Sequence, residues 1–245
     1  MVVPDNLLEL SYIIPVYIEN EDSEELQQLI RKYDSYPKEL TGRMQFVLVD
    51  DGSPAPVSLP ASGLNIVLAR IHENIPWNQP GARNLGVMLA KTSKIILTDL
   101  DHSFSEKLLS KILDSSLPRK LYKFKRKRNG VTVSSHPNSF YCTKAVFYKA
   151  LGYDEEFSGH YGHDDTFFIA LQRAVGTSVQ YFSRFTYLDH LERRAEAEAD
   201  QPHFLVRDSS YNKALLDKKI AIIKGGDPFQ AHSRKLLNFS YSIVV

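Results

Sequence analysis

The sequence has a single cysteine, Cys142, among 245 residues. That excludes an internal disulfide framework and a thiolate zinc site, and a lone thiol suits a reducing compartment. The sequence also has almost no net charge. Thirty basic side chains against 29 acidic ones leave +1, too little to coat nucleic acid by general attraction, so no nucleic-acid partner is expected. No apolar run approaches the roughly 20 residues that cross a bilayer. Residues 1–10 lack the basic start and apolar stretch of a signal peptide. We therefore expect a cytoplasmic protein without a transmembrane segment. Internal repeats, low-complexity linkers and sharp composition breaks are absent too, so one domain over residues 1–245 is the expected organisation.

With 43% hydrophobic residues the chain can bury a core of its own. In the first half, apolar runs alternate with amphipathic ones, the pattern of a parallel sheet with crossover helices. Residues 11–17 read as a short strand ending at Pro15 and Val16. Residues 24–33 follow as a helix, with Leu26, Leu29 and Ile30 on one face. Strands are expected at 44–49, 64–71 and 94–98, and a helix at 82–90. The middle differs. Tyr122 and Phe124 alternate with Lys123 and Lys125, and Asn129-Gly130 signals a tight hairpin, so an antiparallel excursion is expected over 121–133. Residues 140–148 and 165–174 read as helices and 179–182 as a strand. A polar helix-like stretch beyond residue 198 runs to 216, and 239–245 read as a closing strand.

Two strands deliver aspartates at their carboxyl ends, where open α/β sheets bind ligands. Asp99-Leu100-Asp101-His102 places two carboxylates where they can share a cation. Oxygen donors suit Mg²⁺ or Mn²⁺, and the adjoining His102 adds a nitrogen that leans toward Mn²⁺. The same aspartates can instead cap the next helix. Asp50 and Asp51 open a turn with Gly52 and Ser53, or accept from a base or ribose. Gly81-Ala82-Arg83-Asn84-Leu85-Gly86 puts Arg83 near a helix start, where it can clamp a phosphate or merely face solvent. Asp154, Glu155, Glu156, Asp164 and Asp165 stand among glycines and aromatics. Asp164 or Asp165 can act as a general base, or both can complement a helix dipole.

Taken in order, these four motifs resemble the GT-A glycosyltransferases and look most like the inverting enzymes of family 2. Tyr161-Gly162-His163-Asp164-Asp165 is also similar to the acidic segment of β-1,4-galactosyltransferases and chondroitin-type polymerases. The resemblance covers about residues 10–190, leaving 191–245 as an extension packed on the core. It implies an α/β, Rossmann-like GT-A domain with a mixed, mostly parallel sheet flanked by helices. It also implies transfer of a sugar from a UDP-, GDP- or dTDP-sugar to a hydroxyl of a glycan or a lipid-linked or phosphorylated acceptor.

Residue by residue, the resemblance assigns Pro15, Asp50, Asp51, Arg83, Asn84 and Asp99 to the donor. It assigns Asp101 foremost, with Asp99, His190 and His102, to the metal, and Asp164 to the base, with Asp165 as the neighbouring candidate. His163 departs from the family's usual Glu. Acceptor contacts are expected from His136, Tyr161 and Trp77. The cationic ribbon of Lys120, Lys123, Lys125, Arg126, Lys127 and Arg128 reads as a solvated hairpin face, or as a grip on a phosphorylated acceptor, an acidic glycan or an anionic membrane surface. Two other classes compete: a nucleotide-sugar-binding protein on the same fold without catalysis, and a metal-dependent nucleotidyltransferase.

Overall fold

The computed structural model describes residues 7–18, 24–183, 186–190, 206–236 and 239–245. Three parallel strands at the centre carry the fold: β1 (Leu10–Val16), β2 (Met44–Asp50) and β4 (Lys94–Leu97), with β1 in the middle. β3 (Asn65–Ile71) extends the sheet in parallel beyond β2. β2 is buried along its whole length, the signature of a strand covered on both faces. Alternation then divides its side chains. Ile13, Val47 and Val49 join a core with helix α3 (Gln79–Leu89), while Tyr12, Ile14, Phe46 and Leu48 join a second core on the opposite face.

That second core is closed by α1 (Glu24–Asp34), which buries Leu26, Leu29, Ile30 and Tyr33 at helical spacing, and by α4 (Glu106–Leu113). A short helix, α2 (Lys38–Thr41), leads into β2. On the first face, α3 approaches β1 so closely that a Cβ on Gly86 would lie 2.4 Å from Ile13 Cγ2. Glycine is what permits that contact.

Three expectations need correction. Residues 140–148 are not one helix: β9 (Phe140–Thr143) pairs antiparallel with β4, and only α5 (Lys144–Lys149) is helical, capped by Thr143. The apolar run Phe140-Tyr141-Cys142 is buried in the sheet, and a run that short does not distinguish strand from helix. The 121–133 excursion also divides. β6 (Leu121–Lys123) stays in the main sheet between β9 and β10 (Val179–Tyr181), while β7 (Lys125–Arg128) and β8 (Val131–Val133) form the hairpin over Asn129-Gly130. Finally, the aspartates of Asp99-Leu100-Asp101 do not cap the next helix, because β5 (His102–Ser103) intervenes and Ser105 caps α4.

The main sheet runs β10-β6-β9-β4-β1-β2-β3-β12, with β12 (Tyr241–Ile243) antiparallel to β3. A second sheet runs β5-β11-β7-β8, with β11 (Tyr187–His190) at its heart. It places His190 opposite His102. Helix α6 (Asp164–Ala174) packs on the first core, and α7 (Ser210–Lys224) packs against it. Of the polar helix-like stretch expected from beyond residue 198 to 216, the part up to 205 lies outside the described residues, and the rest holds the start of α7, which runs on to Lys224.

Candidate active site

The carboxyl ends of β1, β2 and β4, the start of α6 and the second sheet meet around one buried guanidinium. Arg83, in the second turn of α3, is wholly withdrawn from solvent. Its Nη2 donates to Asp99 Oδ1 at 2.7 Å, and its Nη1 to Asp164 Oδ2 at 3.2 Å and to Gln79 Oε1 at 3.1 Å. Its carbon Cζ lies 5.3 Å from the centre of the buried Tyr153 ring. Arg83 is not an exposed helix arginine, and its fork bonds two carboxylates.

Charge follows from this arrangement. Burial alone would raise Asp99, but Arg83 and then His136 hold it below the ordinary carboxylate value. Burial pushes Asp164 up to about 6, because Asp165 and Asp99 add to the desolvation that Arg83 offsets. Asp165 is turned to its own helix start, accepting from the Thr166 hydroxyl at 3.0 Å. The two neighbouring acids are thus separated by contact.

Asp101 lies beyond this pair. His102 Nδ1 is 2.8 Å from Asp101 Oδ1, and His190 Nδ1 is 4.0 Å from Asp101 Oδ2. His102 is fully buried, with its Nε2 3.1 Å from Arg126 Nη1 and 3.4 Å from His190 Nδ1. On the near side, His136 Nδ1 lies 3.3 Å from Asp99 Oδ2, and its ring is 5.0 Å from that of His102. Two groups of donor atoms result, Asp101–His102–His190 and Asp99–His102–His136, each within 4.8 Å of one another. Mixed carboxylate and imidazole donors at that spacing could hold a divalent cation.

The other expected donor residues are more enclosed than the sequence suggests. Asp50 is held on both oxygens: Oδ2 is 2.7 Å from Arg70 Nη1 and Oδ1 accepts from Ser53 N–H at 2.9 Å. Asp51 is buried and accepts from Asn78 Nδ2 at 3.1 Å; burial, with Asp50 beside it, raises it to about 7 against the pull of Asn78. Asn84 is a clamp rather than an open contact. Its amide bonds both backbone groups of Tyr153, at 2.8 and 2.9 Å, and Glu155 Oε1 at 2.9 Å. Pro15 stays partly exposed at the end of β1, opposite Val49.

Trp77 and Tyr161 come together, with ring centres 4.7 Å apart, and Trp77 Nε1 donates to Val206 O at 3.0 Å. Sequence reasoning missed Asn138, whose side chain is 3.5 Å from Asp99 Oδ2 and 3.3 Å from the Tyr153 hydroxyl. It also missed Asn212, whose Nδ2 donates to the carbonyls of Phe157, His160 and Gly162 at 3.0, 2.8 and 2.8 Å. An asparagine fifty residues from its partners leaves no local signal.

The sequence model of glycosyl transferase family 2 matches residues 11–177. No curated protein matches the chain in sequence. Among solved structures, S. aureus TarS residues 1–349 in complex with UDP-GlcNAc is similar over 91% of this chain and 69% of that one, at 13% identity and a TM-score of 0.60. A longer TarS chain is matched over 37% of its length, at 16% identity and a TM-score of 0.53. A mutant of Drosophila beta1,4-galactosyltransferase 7 in complex with manganese, UDP-Gal and xylobiose is similar over 80% of this chain and 76% of that one, at 14% identity and a TM-score of 0.52. These likenesses establish the GT-A fold, and no helix among the described residues is long and apolar enough to cross a membrane. With the family match spanning well over half of its residues, from β1 to the turn after α6, the chain belongs to glycosyl transferase family 2.

Proposed function

We propose that this protein transfers a sugar from a nucleoside-diphosphate donor to an acceptor hydroxyl, with inversion, using Asp164 as the base and a divalent cation of the Mn²⁺ or Mg²⁺ type. The observation that carries the reading is the Arg83 bridge. One buried guanidinium joins Asp99, of the strand-end Asp-x-Asp pair, to Asp164, at the helix start. Asp101 and His190 are the residues that would hold the cation, with His136, Asp99 and His102 beside them. What such a cation supplies, when bound, is Lewis-acid neutralisation of a departing nucleoside diphosphate.

The chain's own residues do the rest. Asp164, raised to about 6, is ionised at neutral pH yet basic enough to accept the proton of an attacking hydroxyl. Arg83 keeps its carboxylate in place and anionic. Asp165, bonded to Thr166, offers no second nucleophile on the same face, which favours one displacement and inversion. Asp51, close to the end of β2, is the carboxyl group nearest in kind to a base or ribose contact. The Trp77–Tyr161 pair gives an apolar platform for a glycan acceptor.

The reading is tested by following nucleoside diphosphate release and thermal stability with UDP-, GDP- and dTDP-sugars, with and without Mn²⁺. One nucleotide class should raise the melting temperature in a metal-dependent way. If none does, under either metal, the donor assignment is wrong.

A further inference from the structure

The strand that follows Asp101 has little pairing of its own. β5 is two residues long, lies at the edge of the second sheet, and pairs among the described residues with β11 alone, through His102 and Ser103. Side chains of β1 and α1 supply the rest. Lys32 Nζ donates to Ser103 Oγ at 2.7 Å, and the Tyr36 hydroxyl to Phe104 O at 3.0 Å. Tyr33 OH accepts from Phe104 N–H at 2.9 Å and lies 2.7 Å from Tyr12 OH, which is 3.5 Å from His102 O.

The two ends of this chain fix its direction. An amide N–H only donates and a carbonyl only accepts, so Phe104 N–H gives to Tyr33, Tyr33 to Tyr12, and Tyr12 to His102 C=O. Burial raises both hydroxyls above the ordinary tyrosine value, so each keeps the proton it donates.

We propose that Tyr12 and Tyr33 are positioning residues for the cation cluster, their hydroxyl relay setting where His102 and the adjoining Asp101 stand beside His190. The inference rests on reading that cluster as a cation site. Three observations converge. The relay begins and ends on one three-residue segment, 102–104, so it fixes that segment and not the core at large. Both rings lie in an aromatic cluster with Phe46, and Tyr12 also with Phe104, where phenylalanine would pack as well; the hydroxyls add the relay and nothing else. And the donor atoms of Asp101, His102 and His190 lie within 4.8 Å of one another, so a backbone drift of about 1 Å at His102 would spoil their convergence.

The test compares Tyr33→Phe, which keeps the ring and removes the centre of the relay, with Ile30→Val, which loosens the same helix and touches no hydroxyl. Hydrogen exchange of the metal-free full chain, read by mass spectrometry over residues 99–105, should speed up several-fold in Tyr33→Phe and stay unchanged in Ile30→Val. Mn²⁺ affinity by calorimetry should fall about tenfold in Tyr33→Phe, less in Tyr12→Phe, which leaves Phe104 N–H its partner, and within about twofold in Ile30→Val. The double variant Tyr12→Phe/Tyr33→Phe should be no worse than Tyr33→Phe, because one relay is lost in both. Unchanged exchange in Tyr33→Phe, or unchanged Mn²⁺ affinity in a variant whose exchange has risen, would overturn the positioning role. A wild-type chain that binds no Mn²⁺ would instead overturn the reading of the cluster, and with it the role assigned to the relay, while the exchange result would still show whether the hydroxyls hold the segment.

Discussion

Arg83 and Asp99 form an ion pair at 2.7 Å in which the guanidinium has no exposure to solvent, so the first acid of the Asp-x-Asp motif is neutralised from within the protein. The same cation reaches Asp164. Removing it would leave two nearly buried carboxylates without their counter-charge. Arg83→Met should therefore cost about 3–5 kcal/mol of stability, read from urea unfolding. A loss under about 1 kcal/mol would mean that the pair is a bystander.

Asp101→Asn removes the carboxylate that the Asp99–Arg83 pair leaves for a cation. Mn²⁺ binding measured by calorimetry should fall by at least tenfold, and His190→Ala should weaken it by a similar factor. His102→Gln should cost less, because its Nε2 already faces the Arg126 guanidinium at 3.1 Å. Undiminished Mn²⁺ binding by the Asp101 variant would relocate the site.

A base with a raised value gives a definite acid limb. Transfer should decline as pH falls through about 6, where Asp164 takes up a proton, while donor affinity holds. Asp164→Asn should bind the donor and lose transfer by a factor of roughly 10² or more. Near-normal turnover by that variant would move the base to Asp165.

Asp51 makes a prediction about stability. Its native value of about 7 stands above the ordinary 3.8, so the folded state binds the extra proton. That contribution is full below pH 4 and is lost as pH rises through 7. Between pH 5 and 7 the wild type should lose about 2–3 kcal/mol relative to Asp51→Asn, by the rule of 1.36 kcal/mol per pH unit. Parallel stability profiles for the two proteins would contradict the burial argument.

Asn212 donates to three carbonyls of the loop that leads into Asp164. Asn212→Ala should cost about 2–3 kcal/mol, at roughly 1 kcal/mol per bond. It should also lower kcat more than it raises KM for the donor, since the loop places the base and not the nucleotide. A variant with unchanged kcat would reduce Asn212 to scaffolding.

The central strands are legible from local pattern, because Met44-Gln45-Phe46-Val47-Leu48-Val49 is apolar enough to be buried on both faces and Asp50-Asp51-Gly52-Ser53 ends it sharply. The gathering of carboxylates at strand ends is legible in the same way, since spacing along a strand fixes which end they occupy. Residues 140–143 were ambiguous because a four-residue apolar run has no period of its own. What the charges do depends on the folded arrangement. It buried Arg83 between two acids, divided Asp164 from Asp165 by their partners, and turned Arg126 toward His102 while Lys125 and Lys127 went to Tyr187. The physical reason is range. Strand and helix patterns are set by neighbours a few residues apart, whereas a charge takes its role from groups that the fold brings to within about 4 Å from anywhere in the chain.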